Sequence, residues 1–245
     1  MRKLGECVDL TITSPPYDQL RTYCGYEFKF EQIAQELYRI TKPGGVVVWV
    51  VGDATVDGTE TGTSFRQALY FKEIGFNLHD TMIYSRNSVS MPDATRYYNC
   101  FQYMFVFSKG RPKTVNLIKD HKNKTAGKKA TAKHQREPDG SLRVRSEYKQ
   151  TKARPEYSVR WNVWTYDVGS RIMADDRLWA KHPAIFPLKL AEDHIKSWSN
   201  PEDLVLDPMC GSGQTLIAAK KLGRSYLGMD VSQEYCDLAK ERLKL

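Results

Sequence analysis

Leu204-Val205-Leu206-Asp207-Pro208-Met209-Cys210-Gly211-Ser212-Gly213-Gln214-Thr215 reads as a buried strand that stops at an acid, a glycine-rich turn, and the start of a helix. In a strand–turn–helix of this kind, backbone amides come close to a ligand and a helix N-terminus faces it. Glycine at 211 and 213 suits that approach, because a side chain there would stand in its way. The next predicted strand, Tyr226-Leu227-Gly228-Met229-Asp230, ends in a second acid 17 residues beyond Gly213. Acids so placed accept hydrogen bonds from ribose hydroxyls. A lone Gly-x-Gly fits an ordinary turn with a surface Asp230 equally well, so these residues by themselves leave both readings open.

Working outward, predicted strands and helices alternate, as in a sheet with crossover helices. Asp9 to Thr13 is a strand that the following Pro-Pro pair must stop. Phe30 to Ile40 carries apolar residues at helical spacing, and Lys42-Pro43-Gly44-Gly45 supplies turn chemistry to end that helix. Val46 to Val51 is an unbroken apolar run, the pattern of a strand covered on both faces. Ser64 to Ile74 is the next helix, with Ser64 as its cap and Gly75 as its stop. Thr81 to Tyr84 and Tyr103 to Phe107 follow as an antiparallel pair. Beyond Ser108 the periodicity fails until Trp161, and Lys122 to Lys133, with no apolar residue larger than Ala, is expected to be mobile without a ligand. An amphipathic helix from Leu188 to Trp198, a helix from Thr215 to Leu222 and a last one from Ser232 to Leu243 complete the pattern.

With 245 residues, 41% of them hydrophobic, the chain can bury a full core. No apolar run approaches the ~20 residues that span a bilayer, and Met1-Arg2-Lys3 leads into no apolar signal stretch, so a soluble cytoplasmic protein is expected. The five cysteines show neither Cys-x-x-Cys spacing nor nearby His partners, which disfavours a disulfide framework and a structural zinc site; no metal is expected. Charge is concentrated. Lys109 to Arg160 holds 16 basic and 5 acidic residues, while the rest holds 21 basic and 24 acidic. Such a run is either a solvated loop or a phosphate-facing surface, since clustered Lys and Arg gain affinity for nucleic acid by displacing counterions.

Near the start lies Thr13-Ser14-Pro15-Pro16-Tyr17, at the carboxyl end of a predicted strand, where open α/β sheets build their sites. Two prolines stiffen the loop and remove amide donors, leaving carbonyl and hydroxyl acceptors for a group that donates, such as an exocyclic amine. Tyr17 offers a flat face for a planar base. Taken alone, the stretch is better read as a proline turn with a packed aromatic.

Together the two motifs resemble the β group of DNA amino-methyltransferases, which use S-adenosylmethionine to methylate N4 of cytosine or N6 of adenine. Ser14 to Tyr17 match the family's (D/N/S)PP(Y/F/W) motif, and Asp207 to Thr215 match its DPFxGSGTT motif, departing at Met209 and Gln214. His182-Pro183-Ala184-Ile185-Phe186-Pro187 is similar to the family's segment around the methionine part of the cofactor. The proline motif precedes the glycine turn, the inverse of the order in most methyltransferases and the order of this group. The resemblance implies a Rossmann-like α/β methyltransferase sheet with helices on both faces and a basic target-recognition insertion. Residues 1–108 would form the catalytic half, 109–178 the target-recognition region and 179–245 the cofactor half.

It further implies Ser14, Pro15, Pro16 and Tyr17 as catalytic residues. Asp207, Pro208, Gly211, Ser212, Gly213, Thr215, Asp230, His182 and Phe186 would bind S-adenosylmethionine, and Arg143, Arg145, Arg154 and Arg160 would contact double-stranded DNA. Ser at the first motif position is commoner among N4-cytosine enzymes, so cytosine is favoured over adenine. A cognate restriction endonuclease and a homodimer are left open. Family members also carry a strand with an acid near the adenine ring, usually upstream of the catalytic strand. Only Met1 to Val8 stand there, so an open adenine side of the pocket is expected. Two other readings compete: a DNA-binding protein inert for want of that segment, and a methyltransferase acting on protein glutamine or RNA, whose motif order is the reverse of this one. Trp161, Trp164 and Tyr166 are expected in the core of the small domain.

Overall fold

The structure is a computed structural model that describes residues 1–16, 28–88, 94–129, 134–144, 153–168 and 185–244. The described chain divides into two compact units, Met1–Asn116 with Asn162–Leu245, and Leu117–Trp161. The first contains β1 (Val8–Thr13), α1 (Phe30–Ile40), β2 (Thr41–Val51), the small hairpin β3 (Thr55–Val56) and β4 (Thr59–Glu60), α2 (Thr63–Glu73), β5 (Asn77–Arg86) and β6 (Phe101–Ser108). The second holds β7 (His121–Lys122), β8 (His134–Arg136), β9 (Leu142–Val144) and β10 (Tyr157–Ser158). The chain then returns through β11 (Val163–Tyr166), α3 (Leu188–Trp198), β12 (Leu204–Asp207), α4 (Gln214–Lys221), β13 (Ser225–Gly228) and α5 (Gln233–Lys244).

Seven strands form one sheet in the order β11-β5-β6-β2-β1-β12-β13. All neighbours run parallel except around β6, which is antiparallel to both β2 and β5. The alternation of side chains along a strand sends Val47, Trp49 and Val51, with Phe105 and Phe107, to one face, where Leu37 and Ile40 of α1 and Phe71 of α2 bury them. Val46, Val48, Val50, Met104 and Val106 are buried on the other face, where His194 Nε2 of α3 lies 3.2 Å from Met104 Sδ. Both faces of the sheet are covered, in keeping with the unbroken apolar run Val46 to Val51 of β2.

From β1 the chain steps outward to β2 on one side, and from β12 to β13 on the other. The order of strands therefore reverses between β1 and β12, and ligands of open α/β sheets bind outside the carboxyl ends at such a reversal. Leu10 pairs with Val205 and Thr11 with Leu206, which brings Thr13 and Asp207 to the same end.

The structure corrects three local expectations. Lys42 to Gly45 is not a turn after α1. Thr41 is already extended, and the four residues belong to β2, whose register against β1 jumps from Val8↔Thr41 to Leu10↔Val46. Lys42 Nζ reaches Asp9 at 2.7 Å, and Asp9 also accepts from the Leu204 N–H at 3.0 Å, so the bulge is tied to both neighbouring strands. A Cβ on Gly45 would stand 2.9 Å from the Lys42 carbonyl, which explains the glycine. Ser64 does not cap α2. It lies inside the first turn, and its N–H and hydroxyl both donate to Asp53, which caps the helix from the end of β2.

The third correction concerns the aromatics. Trp164 and Tyr166 are buried in β11 of the large sheet, and Trp161 is 65% exposed, its ring stacked on His121 at 4.2 Å. The expected region 109–178 thus encloses the compact unit 117–161 and also a strand of the large sheet. Among the described residues no helix is long and apolar enough to cross a membrane, no group of His, Cys, Asp and Glu could hold a metal ion, and Cys7, Cys100, Cys210 and Cys236 are free thiols. Cys24 lies outside the described residues.

Candidate active site

Asp207 ends β12 with its carboxylate 2% exposed. Burying a carboxylate is costly unless donors surround it. Here the Thr13 hydroxyl donates to Oδ1 at 2.7 Å, the Thr215 hydroxyl to Oδ2 at 2.8 Å, and the Met209 N–H to Oδ1 at 3.2 Å. Burial still outweighs these donors and pushes the carboxyl up to about 6. The acid therefore has internal partners. It knots the last residue of β1, the first turn of α4 and the glycine turn together, and Thr13 is the residue next to Ser14.

The turn itself is anchored on both sides. Cys210 N–H donates to the Met229 carbonyl at 2.8 Å and Met229 N–H to the Asp207 carbonyl at 3.0 Å, which pins the ends of β12 and β13 together. Burial pushes the Cys210 thiol upward, so it stays protonated. Gly211 and Gly213 take positive φ of 47° and 84°. A Cβ on Gly213 would meet the Ala239 Cβ of α5 at 3.0 Å, so this glycine serves helix packing as well as the turn. Asp230 accepts from the Gly211 N–H through one oxygen and from the Ser232 N–H through the other, each at 2.9 Å, and it stays partly exposed. Each carboxylate oxygen keeps a further lone pair for a hydroxyl donor.

Two observations test whether these residues fit S-adenosylmethionine. The Ser212 hydroxyl, 1% exposed, has no hydrogen-bond partner among the described residues, so a polar ligand atom would complete its bonding. Asp230 presents carboxylate oxygens beside the turn, which suits ribose hydroxyls. The donor set fits. Pro208 and Gly211 are buried within the turn, and Phe186, just before α3, is 9% exposed. Pro15 is buried, with Ser14 and Pro16 partly exposed. Tyr17, His182 and Arg145 lie outside the described residues.

Three contributors escaped the sequence reading: Thr13, Gln214 and Arg242. Gln214 and Arg242 are both 3% exposed. Thr13 had a signal, its place beside the proline motif. Arg242 had none, because a basic residue in a last helical turn reads as a dipole partner.

Of the four arginines expected to contact DNA, Arg143 is 72% exposed on β9, with Glu137 3.8 Å away. Arg154 donates to the Thr125 hydroxyl, and Arg160 grips Asp120 through Nε at 3.0 Å to each oxygen. Within its unit, then, Arg143 offers a solvent-facing cation, whereas Arg154 and Arg160 hold chain segments together.

A family model described as DNA methylase, of the N6/N4 type, matches residues 8–241. The chain is 59% identical over 243 residues to the orphan methyltransferase M.BamHII of Bacillus amyloliquefaciens, across 98% of this chain and 91% of that one. It is 28% identical over 248 residues to the type II methyltransferase M.HpaI of Haemophilus parainfluenzae, across 96% and 68% of the two chains. The PvuII DNA methyltransferase, described as cytosine-N4-specific, shares the fold with a TM-score of 0.70 at 21% identity, over 98% of this chain and 81% of that one. The M1.HpyAVI–SAM complex matches with a TM-score of 0.61 at 24% identity, over 99% and 91%. With both motifs meeting at the strand reversal and nearly its whole length matched, the chain belongs to the N6/N4 DNA methylase family and is an S-adenosylmethionine-dependent DNA methyltransferase.

Proposed function

We propose that the protein methylates the exocyclic amino group of a base flipped out of double-stranded DNA, with N4 of cytosine favoured over N6 of adenine. The observation that carries this reading is the 2.7 Å bond from Thr13 to Asp207, which fixes the proline loop beside the glycine turn although 194 residues separate them. Amine acceptor and methyl donor would meet there. S-adenosylmethionine supplies an electrophilic methyl on its sulfonium. Ser14 Oγ and the Pro15 carbonyl accept hydrogen bonds from the target amino group and hold its lone pair in line, while Tyr17 stacks on the base. When bound, the cofactor would give up this methyl to the amine nitrogen, leaving as the thioether, with the amine proton passing to water. Positioning supplies most of the rate, so no strong base is needed at Ser14. The cytosine preference rests on Ser14 itself.

In this reading the unit around β7 to β10 faces DNA, supported by the basic excess of the segment and the exposed Arg143. The description of M.BamHII as an orphan favours a modification enzyme that acts without a cognate endonuclease. The test is transfer of labelled methyl to unmethylated genomic DNA, followed by digestion to nucleosides and mass spectrometry. N4-methylcytosine from the wild type, lost in Tyr17→Ala and reduced in Ser14→Ala, is the expected result. N6-methyladenine would overturn the choice of base, and DNA binding without any product would favour the inert DNA-binding protein.

A further inference from the structure

Arg242 of α5 is 3% exposed, and a buried guanidinium persists only where acceptors hold it. Its Nη1 donates to the Ser212 carbonyl at 2.5 Å and its Nη2 to Gln214 Oε1 at 2.7 Å. The Gln214 amide, held by that acceptance with its NH2 pointing away, donates to the Phe186 carbonyl at 3.0 Å. One relay therefore joins α5, the glycine turn and the residues leading into α3. Gln214 is a position where the sequence departs from the family's glycine-turn motif, and the departing side chain is the one that makes the link. The relay reaches the main chain at Ser212, whose hydroxyl has no partner among the described residues, and at Phe186.

We propose that Arg242 and Gln214 are positioning residues that fix the separation between the glycine turn and the Phe186 segment, and so set the affinity for S-adenosylmethionine without entering the methyl-transfer step. The proposal rests on the cofactor assignment above. Neither side chain needs to touch the cofactor. Each acts through a carbonyl whose place decides where Ser212 and Phe186 stand.

The experiment is calorimetric binding of S-adenosylmethionine, with kcat and KM for the cofactor, in Arg242→Ala, Arg242→Lys, Gln214→Ala and the double Ala variant. About tenfold weaker binding is expected from each single Ala variant, the scale at which coupled neighbours act. The kcat at saturating cofactor should hold, and so should DNA affinity measured without cofactor. Arg242→Lys should recover part of the loss. The double variant should be little worse than Arg242→Ala alone, because both substitutions cut one relay. Unchanged cofactor affinity in Gln214→Ala, strictly additive losses, or a fall confined to kcat would each overturn the proposal. If Arg242→Ala does not fold, Gln214→Ala and Gln214→Thr decide it. A wild-type protein that binds no S-adenosylmethionine would sink the cofactor assignment and this proposal with it, whereas wild-type binding matched by every variant would sink the proposal alone.

Discussion

Asp207 sets the pH behaviour of the site. Its carboxyl stands at about 6 in the fold against an ordinary 3.8, so the folded protein holds this proton more firmly than the unfolded chain does. The group favours the fold fully below pH 4, and that contribution is lost as pH rises to 6. Relative to Asp207→Asn, the wild type should lose on the order of 3 kcal/mol of unfolding free energy between pH 4 and pH 7, read from urea titrations of both. A constant difference across that range would show that the acid is already ionised at pH 4. Thr13→Val keeps the shape of the side chain and removes a donor to the buried acid. It should cost about 1–3 kcal/mol in the same titration at pH 7. The sequence pointed to Asp207, Gly211 and Asp230 by their places around a strand–turn–helix, because that local geometry repeats across folds. It could not point to Arg242, whose partners are decided only when α5 packs.

Among elements, the glycine turn packs closely on α5. Gly213→Ala adds a strained φ and a methyl against Ala239, and should lower stability by about 1–2 kcal/mol for the backbone alone, with a further loss for the displaced helix. Gly58→Ala, with φ of 75° and open space around it, isolates the backbone part. Equal falls in melting temperature for the two variants would show that α5 gives way freely. The limits of α1 and α3 could be read from apolar spacing, although α1 buries one stripe and α3 is buried over most of its circumference. The start of α2 could not, because its capping group is Asp53, eleven residues before Ser64 in the connection just past β2. Nor could the bulge in β2: Lys42-Pro43-Gly44-Gly45 carries turn residues, and the ion pair to Asp9 decides that they continue a strand.

For the whole molecule, the basic excess predicts DNA affinity that falls steeply with salt. If Arg143 meets phosphate, Arg143→Ala should lower the slope of log affinity against log salt by about one. Arg160→Ala should leave that slope nearly unchanged and lower the melting temperature instead, since its guanidinium is committed to Asp120. A slope that falls with Arg160→Ala and not with Arg143→Ala would reverse these roles. The parallel sheet was legible from alternating apolar runs, whereas β11 was hidden because its four residues follow a segment without periodicity. The Thr13–Asp207 bond has a consequence for biosynthesis. At roughly 5–20 residues per second, a ribosome needs about 10–40 s between making the two partners. For most of that interval β1 has its β2 neighbour available but not β12, leaving one edge of β1 unpaired. On the proposed assignment, a nascent chain is without a methyl-transfer site until translation has passed the glycine turn, and during the wait it offers chaperones an open strand edge.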